Sequence, residues 1–388
     1  MAETAGMSTN TPIDENQIAV ATAHVGMVIN VLEEHGVIAG VRDESRELGL
    51  TLLTLPDDPV RRAGRDGSSD PLGDLLGRVY QDFENRYGGW VPTMGRNRRV
   101  LPVTGAHNIG GGDACAPVMA DPRLRPRDAE PGYGVRVGIA DTALYAHPWL
   151  AGAYQAAPSS ILDDLGGSPD FSAGHATFVA GLILQRAPGA TLEVRRVLGD
   201  NGQADSWDVA KDLVRFARSG LDVLNLSFGC FTDDNQAPLV LSTALDRLGT
   251  RVVVVAAAGN QGATPDRGRP MWPAALDEVV SVAAMDGEGR RPAWSPDPDL
   301  PWIDVTARGE DVTSTYLTGE VDLHAVNRDK DERFDGYAKW SGTSFSAAQV
   351  SGAIAAGVVV GETGAATALA ELTRSAARPS GSTVPWIR

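Results

Sequence analysis

The sequence is poor in cysteine and has no long apolar run. Only Cys115 and Cys230 are present among 388 residues, so a disulfide scaffold and a four-cysteine zinc site are excluded. No apolar stretch approaches the roughly 20 residues that a membrane-spanning helix needs. The apolar stretch 18–32 follows Asp14 and Glu15, where a signal peptide carries positive charge. We therefore expect a cytoplasmic protein with no membrane partner, and a non-standard export route stays open.

Basic residues are also scarce. The chain has 34 Lys and Arg against 50 Asp and Glu, for a net charge of −16 at pH 7. This acidic balance argues against nucleic acid as a partner. The hydrophobic content of 43% and the charged content of 22% are typical of a globular protein that is long enough for two domains. The composition says nothing about the oligomeric state.

Shifts in composition predict two folded domains joined by a linker. We expect a disordered lead over residues 1–13 and a small α+β domain over 14–104. Residues 105–130 are rich in Gly, Pro, Ala and Asp, as linkers are. A larger domain is expected over 131–380, and residues 381–388 are expected to be a tail.

The first domain carries a β-α-β-β-α-β pattern. Apolar residues at helical spacing start at Val25, and a second helix is expected to begin at Asp70 and Pro71, an N-cap followed by proline. Short strand-like runs lie at residues 18–23, 37–42, 48–55 and 99–104. This order of elements is that of the ferredoxin-like fold.

The second domain alternates helical stretches with apolar, β-branched runs. The runs are residues 135–140, 192–197, 223–226, 252–257 and 279–283. Continuous apolar character is typical of strands that are buried on both faces of a parallel sheet. The alternation therefore predicts an α/β fold, a doubly wound parallel sheet flanked by helices. Such sheets place functional side chains at the carboxyl ends of their strands.

Three reactive side chains stand at strand ends or helix starts. Asp141 follows the first buried strand, His175 opens a helix, and Ser344 opens another in the segment WSGTSFSAAQ. These are the groups that nucleophilic acyl transfer requires. Ser344 would attack a carbonyl, His175 would carry the proton to the leaving amine, and Asp141 would orient the imidazole.

A fourth group completes the expected site. A buried strand ends in the segment Ala-Gly-Asn at residues 258–260. The side-chain amide of Asn260 is our candidate donor to the oxyanion that forms on the attacked carbonyl. The backbone N–H of Ser344, at a helix N-terminus, is the second donor. The alternative for Asn260 is an ordinary turn residue.

Together these segments resemble the subtilisin-like serine peptidase family over residues 131–380. Three further segments agree with the family: LNLSFG (224–229), WPAALDEVVSVAA (272–284) and WIDVTARGEDVTST (302–315). The resemblance implies a subtilisin-like fold and serine endopeptidase activity through an acyl-enzyme. It implies a peptide or protein substrate that pairs as an added strand with Ser227, Phe228 and Gly229. It also implies that the pocket before the scissile bond is lined by Ala257, Ala258 and Gly259.

The chain departs from the family pattern at several positions. Ala143 stands where glycine is usual, and Ala176 and Phe178 stand beside the histidine. If Ala176 needs a left-handed backbone, its methyl group costs about 1 kcal/mol. The charged stretch 316–340 is longer than usual for the family, and we expect an exposed loop there.

The chemistry needs no cofactor, but the resemblance leaves structural calcium open. An acidic run at residues 329–335 is one of several clusters, and none has an EF-hand spacing. We assign no metal ligands.

Two roles remain for the first domain, which resembles the subtilisin propeptide in element order and position. It would either block the cleft until it is removed or recruit a substrate and be retained. The alternative function for the whole chain is a catalytically weak or inactive peptide-binding protein of the same fold, which only Ala176 and Phe178 favour. An α/β-hydrolase esterase would need the chain order Ser, acid, His, whereas the order here is acid, His, Ser.

Overall fold

The computed structural model describes residues 16–64, 68–102, 116–122, 124, 126–127, 131–162, 167–324, 331–379 and 382–388. The lead over 1–13 and much of the linker therefore lie outside the described residues. Contacts divide the chain into two units. Unit 1 runs up to Arg99 and includes Asp205–Val214 and Pro238–Arg247, and unit 2 contains the remainder.

The helices end close to glycine, proline or polar residues, which are typical stop signals. In chain order they are α1 (Val25–Glu34), α2 (Asp57–Ala63), α3 (Pro71–Arg86), α4 (His175–Arg186), α5 (Ser206–Arg215), α6 (Leu239–Asp246), α7 (Thr343–Gly357) and α8 (Ala365–Ser375).

The strands are mostly short and rich in apolar residues. In chain order they are β1 (Gln17–Ala21), β2 (Gly40–Ser45), β3 (Leu50–Thr54), β4 (Met94–Arg96), β5 (Arg99–Pro102), β6 (Val118–Met119), β7 (Arg136–Asp141), β8 (Leu144–Tyr145), β9 (Tyr154–Ala156), β10 (Ile161–Leu162), β11 (Thr191–Arg196), β12 (Ala204–Asp205), β13 (Val223–Leu226), β14 (Phe228–Gly229), β15 (Val253–Ala257), β16 (Val279–Met285), β17 (Val305–Arg308), β18 (Val312–Val321), β19 (Glu332–Trp340) and β20 (Trp386–Ile387).

Unit 1 contains an antiparallel sheet in the order β2-β3-β1-β4. With α1 and α3 it has the predicted β-α-β-β-α-β order of elements. The predicted helix start is confirmed, because the Asp70 carboxylate accepts a hydrogen bond from Gly73 N at 3.1 Å. Apolar side chains such as Ile18, Leu75 and Phe83 form the core of this unit.

One strand prediction in this sheet is wrong. Residues 99–104 were expected to close it, but β4 pairs with β1 instead, with Gly95 opposite Ala19. The end of β5 pairs antiparallel with β14, so that Leu101 lies opposite Gly229 and Pro102 opposite Phe228. The Met-Gly-Arg segment of β4 has little β propensity, which is why the more apolar run was favoured.

Unit 1 also takes in α6 and most of α5, which come later in the chain. The Asp43 carboxylate accepts hydrogen bonds from Trp207 Nε1 at 2.9 Å and from Lys211 Nζ at 2.6 Å. The Asn97 side-chain oxygen accepts from Ser206 Oγ and from Trp207 N, both at 2.9 Å. These bonds tie the first turns of α5 to strand β2 and to Asn97, the residue that follows β4.

Unit 2 is built on an eight-stranded sheet in the order β20-β17-β16-β15-β13-β7-β11-β9. Its paired strands run parallel, which confirms the predicted α/β fold. From β7 the strand order runs one way to β11 and β9 and the other way to β13 and beyond. The switch point therefore lies between β7 and β13, where open α/β sheets place their sites. The residues expected to be a tail supply the edge strand β20.

The prediction of an exposed loop over 316–340 is wrong for the described residues of that stretch. Strands β18 and β19 form an antiparallel hairpin, with Val312 opposite Trp340. Tyr316, Phe334 and Trp340 are buried. Charged residues alternate with these apolar ones along β19, so the stretch is charged in composition while one of its faces is apolar.

Across the described part of the chain, no helix combines the length and the apolar character that crossing a membrane requires.

Candidate active site

The end of β7 and the start of α4 bring Asp141 and His175 together. His175 Nδ1 lies 2.8 Å from Asp141 Oδ1 and 2.9 Å from Oδ2, and both side chains are fully buried. Thr142 N also donates to Asp141 Oδ1, at 2.7 Å. The carboxylate therefore holds Nδ1 and directs Nε2 away from itself. Among the described residues, Nε2 has no hydrogen-bond partner.

Ala176 fits a right-handed helix and imposes no strain. It lies in the first turn of α4 and is not among the described non-glycine residues with positive φ. Its N–H donates to Thr142 Oγ1 at 3.1 Å. The cost expected for a left-handed alanine therefore does not arise, and this bond adds a second tie between α4 and the end of β7.

Ser344 lies in the first turn of α7, with its side chain fully buried. Its Oγ donates to the carbonyl oxygen of Ser227 at 3.2 Å. The next residue, Phe345, has its ring centroid 5.5 Å from that of His175. Since none of the described residues is a hydrogen-bond partner of His175 Nε2, transfer of the Ser344 proton to Nε2 would require the hydroxyl to turn away from Ser227. Such hydrogen bonds often close only when substrate is bound.

Asn260 accepts hydrogen bonds from Thr343, the residue before the candidate nucleophile Ser344. Its Oδ1 accepts from Thr343 N at 3.0 Å and from Thr343 Oγ1 at 3.1 Å. Gly259 N donates to the same hydroxyl oxygen at 3.0 Å. Both bonds to Oδ1 hold the side-chain amide, whose Nδ2 is its only donor atom.

A buried polar chain supports the segment beside Ser344. Ser351 Oγ, on α7, donates to Asn225 Oδ1 at 3.0 Å, and Asn225 Nδ2 donates to Ser227 Oγ at 2.8 Å. Sequence reasoning missed Asn225, Thr343 and Ser351. A signal existed, because Asn225 is a polar residue inside an otherwise apolar strand and shares a face with Ser227.

Aromatic rings enclose the histidine. Trp340 meets the His175 ring edge-on, with centroids 5.7 Å apart and planes at 87°. Phe178 packs against Phe345 with centroids 4.4 Å apart. Phe178, an unusual residue at its position, is therefore part of the buried aromatic cluster that also contains Trp340 and Phe345.

The expected substrate-binding segments are neighbours in the structure, since Leu226 of β13 lies opposite Ala256 of β15. Ser227, Phe228 and Gly229 are buried, as are Ala257, Ala258 and Gly259. The edge expected to take substrate is occupied by the chain itself, through Leu101 and Pro102.

One group of described residues has the arrangement to hold a metal ion: Asp322, His324 and Asp331. Their ligand atoms lie within 4.8 Å of one another, and Asp331 belongs to the acidic run noted in the sequence. Hydrogen bonds from the backbone and ring of His324 lower the pKa of the Asp322 carboxyl. Asp322 is half-buried, and His324 and Asp331 are exposed.

Comparison with known proteins identifies relatives of unit 2. The family model described as the subtilase family matches residues 132–378. A thermophilic serine proteinase from Bacillus sp. (strain AK1) is 31% identical over 230 residues, which are 56% of this chain and 51% of that protein. The chain thus spans about half the length of this curated relative.

Two solved structures are also similar. The crystal structure of fervidolysin from Fervidobacterium pennivorans, a keratinolytic enzyme related to subtilisin, matches with a TM-score of 0.65 at 17% identity and covers 96% of this chain and 60% of that one. This likeness shows the fold. The crystal structure of a lanthipeptide protease matches with a TM-score of 0.53 at 25% identity, covering 67% of this chain and 87% of that one.

Proposed function

The chain belongs to the subtilase family, and from that premise we propose that it is a serine endopeptidase that works through an acyl-enzyme. The observation that carries the proposal is the buried Asp141–His175 pair at the switch point of the sheet, with Ser344 in the first turn of the adjacent α7. This arrangement supports the roles proposed for Ser344 as nucleophile, His175 as base and Asp141 as the group that orients the imidazole.

The reaction follows from these positions. Ser344 Oγ attacks the substrate carbonyl while His175 Nε2 accepts its proton. The oxyanion is stabilised by Asn260 Nδ2 and by the Ser344 backbone N–H. His175 then gives the proton to the leaving amine, the C–N bond breaks, and an acyl ester of Ser344 remains. Water hydrolyses this ester by the same steps, with His175 as the base, and Asp141 stabilises the imidazolium throughout.

We propose that the substrate binds as an extended strand beside Ser227, Phe228 and Gly229. The pairing of Leu101 and Pro102 with this segment supports the proposal, because it demonstrates that the edge accepts an antiparallel strand. Main-chain hydrogen bonds of this kind depend little on side chains, which suits a peptide or protein substrate.

The same pairing favours a blocking role for the first domain over a recruiting role. While β5 lies on β14, a substrate cannot pair there. Pro102 is opposite Phe228 in this pairing, and the carbonyl of the neighbouring Ser227 accepts from the Ser344 hydroxyl. We therefore expect self-cleavage soon after Pro102, in a part of the chain that the structure does not describe.

The alternative remains an inactive peptide-binding protein with the same fold. The observation in its favour is the Ser344 hydroxyl, which donates to Ser227 while His175 Nε2 has no partner among the described residues. A protein that kept this arrangement with substrate bound would hold a peptide without cutting it.

Labelling with a fluorophosphonate, read by intact mass, separates these possibilities. We expect one label per chain on Ser344, on a species shortened by the first domain. Label at full mass would instead mean that the domain is retained. Absence of label from the wild type at any length would overturn the enzyme proposal.

Two variants control this experiment. Ser344→Ala removes the nucleophile and should abolish labelling. Ser346→Ala removes a second buried serine of the same helix, which donates to the Ala307 carbonyl at 3.1 Å, and should keep it.

A further inference from the structure

A buried methionine occupies the space between the two segments proposed to line the pocket before the scissile bond. Met271 is 4% exposed. A Cβ atom built on Gly229 would lie 2.6 Å from Met271 Sδ, and one built on Gly259 would lie 2.8 Å from Met271 Cε. The thioether therefore reaches from one segment to the other, against two positions that have no side chain of their own.

Met271 is held on both sides by hydrogen bonds to one neighbouring segment. Cys230 N donates to the Trp272 carbonyl at 2.9 Å, and Trp272 N donates to the Cys230 carbonyl at 3.0 Å. On the other side, Arg269 donates to the Thr232 carbonyl at 2.8 Å. The backbone at Met271 is thus fixed relative to Gly229. A large substrate side chain therefore cannot simply push the Met271 backbone aside.

A substrate side chain would point toward this methionine. Residues directly opposite each other in an antiparallel pair project their side chains to the same face of the sheet. A substrate residue opposite Ser227 therefore shares a face with Ser227 and with Gly229. A side chain on Gly229 would project from that face into Met271, because a Cβ atom built there lies 2.6 Å from Met271 Sδ.

We propose that Met271 limits the depth of the pocket, so that the protein cleaves after short side chains such as Ala, Ser or Val and rejects Leu and Phe. This inference rests on the proposed function. A buried thioether that touches both walls leaves a shallow pocket, and each methylene that does not fit costs ten-fold or more in kcat/KM. The chemical class of substrate is therefore a peptide with a small residue before the scissile bond.

The test uses four quenched fluorescent peptides that differ only in the residue before the scissile bond: Ala, Val, Leu or Phe. For the wild-type protein in its labelled, active form, we expect kcat/KM for the Ala peptide to exceed that for the Phe peptide at least ten-fold. In Met271→Ala the Phe peptide should gain at least ten-fold, while the Ala peptide changes less than three-fold. Met271→Leu, which keeps the volume, should keep the wild-type preference.

Fluorophosphonate labelling of Ser344 in each variant separates the ways of failing. Stoichiometric label with an unchanged Ala-to-Phe ratio in Met271→Ala would overturn this inference and leave the proposed function intact. Absence of label from the wild type would overturn both. If Met271→Ala does not fold, Met271→Val removes part of the side chain and should raise the Phe peptide relative to the Ala peptide in the same direction.

Discussion

At the scale of single residues, the orientation of Asn260 depends on its neighbour Thr343. Two donors of Thr343 hold the Asn260 oxygen, at 3.0 and 3.1 Å, and the amide nitrogen is the group that we propose as a donor to the oxyanion. Thr343 is thus a positioning residue that joins Asn260 to the helix carrying the nucleophile. An amide fixed before reaction needs no reorganisation when charge develops.

We therefore predict that Asn260→Ala lowers kcat about 10²–10³-fold, which is the general cost of losing one oxyanion donor. KM should change little, because the donor acts on the charge that develops in the transition state. Steady-state kinetics on one peptide measure both constants. Thr343→Ser keeps the hydroxyl and serves as the control. A rise in KM with unchanged kcat would show that Asn260 binds substrate instead.

Asp205, at the start of α5, is a carboxyl whose charge opposes folding. Burial raises its pKa, and the nearby Asp208 carboxylate raises it further. Because the folded-state pKa lies above the unfolded-state value, charged Asp205 destabilises the fold at any pH above the folded-state pKa. The penalty disappears as the pH falls below the unfolded-state value.

Asp205→Asn should accordingly raise the free energy of unfolding at pH 7. The gain should shrink as the pH falls toward 3. The asparagine oxygen can still accept the bond from Asp208 N, which is 2.9 Å long. Urea unfolding at both pH values measures the effect, with Asp335→Asn, whose side chain is 70% exposed, as the control. A variant less stable than wild type at pH 7 would contradict this account.

At the scale of elements, α7 packs closely against α4, and the first turns of these two helices carry Ser344 and His175. Gly352 makes this approach possible, since a Cβ there would lie 2.8 Å from the Ile183 carbonyl oxygen and 2.8 Å from Arg186 Cβ. The oxygen belongs to the backbone of a packed helix and cannot move aside cheaply.

Gly352→Ala should therefore destabilise the protein by about 1–3 kcal/mol, the usual cost of overpacking, although alanine is the better helix former. Gly77, on the exposed face of α3, has no atom within 4 Å of its Cβ position. There the same substitution should stabilise by about 0.5–1 kcal/mol. Thermal unfolding of the two variants measures both effects. The substitution is glycine to alanine in each helix, so a difference in the shift of Tm reports the crowding at Gly352. Equal shifts of the same sign would refute the packing argument.

At the scale of the whole molecule, strand β5 of the chain itself occupies the edge of β14 at which we propose that the substrate binds. Because β5 is already paired with β14, the effective concentration of the bond to be cut is that of an intramolecular contact. Self-cleavage should therefore occur within one molecule.

We predict that the half-life for shortening of the wild-type chain stays constant over a 100-fold dilution, as measured by intact mass. Ser344→Ala should remain at full length when it is incubated alone. A half-life that lengthens in proportion to dilution would show that one molecule cuts another.

The sequence by itself predicted much of the fold and pointed to candidate reactive groups, because both depend on local patterns. Apolar runs that alternate with helical stretches predicted the parallel sheet, and residue type and position at strand ends singled out Asp141, His175 and Ser344. The prediction of an exposed loop over 316–340 was wrong because charged residues alternate with apolar ones along β19. The overall composition of the stretch therefore does not reveal its buried face.

Only the tertiary structure decided which distant segments meet. The pairing of Leu101 with Gly229, the polar chain from Ser351 to Ser227, and the reach of Met271 between Gly229 and Gly259 each join parts far apart in the chain. No periodicity or motif encodes such contacts, since they depend on how the sheet orders its strands. The sequence thus determined the fold class and the candidate reactive groups, while packing decided which segment pairs with β14 and where Met271 lies.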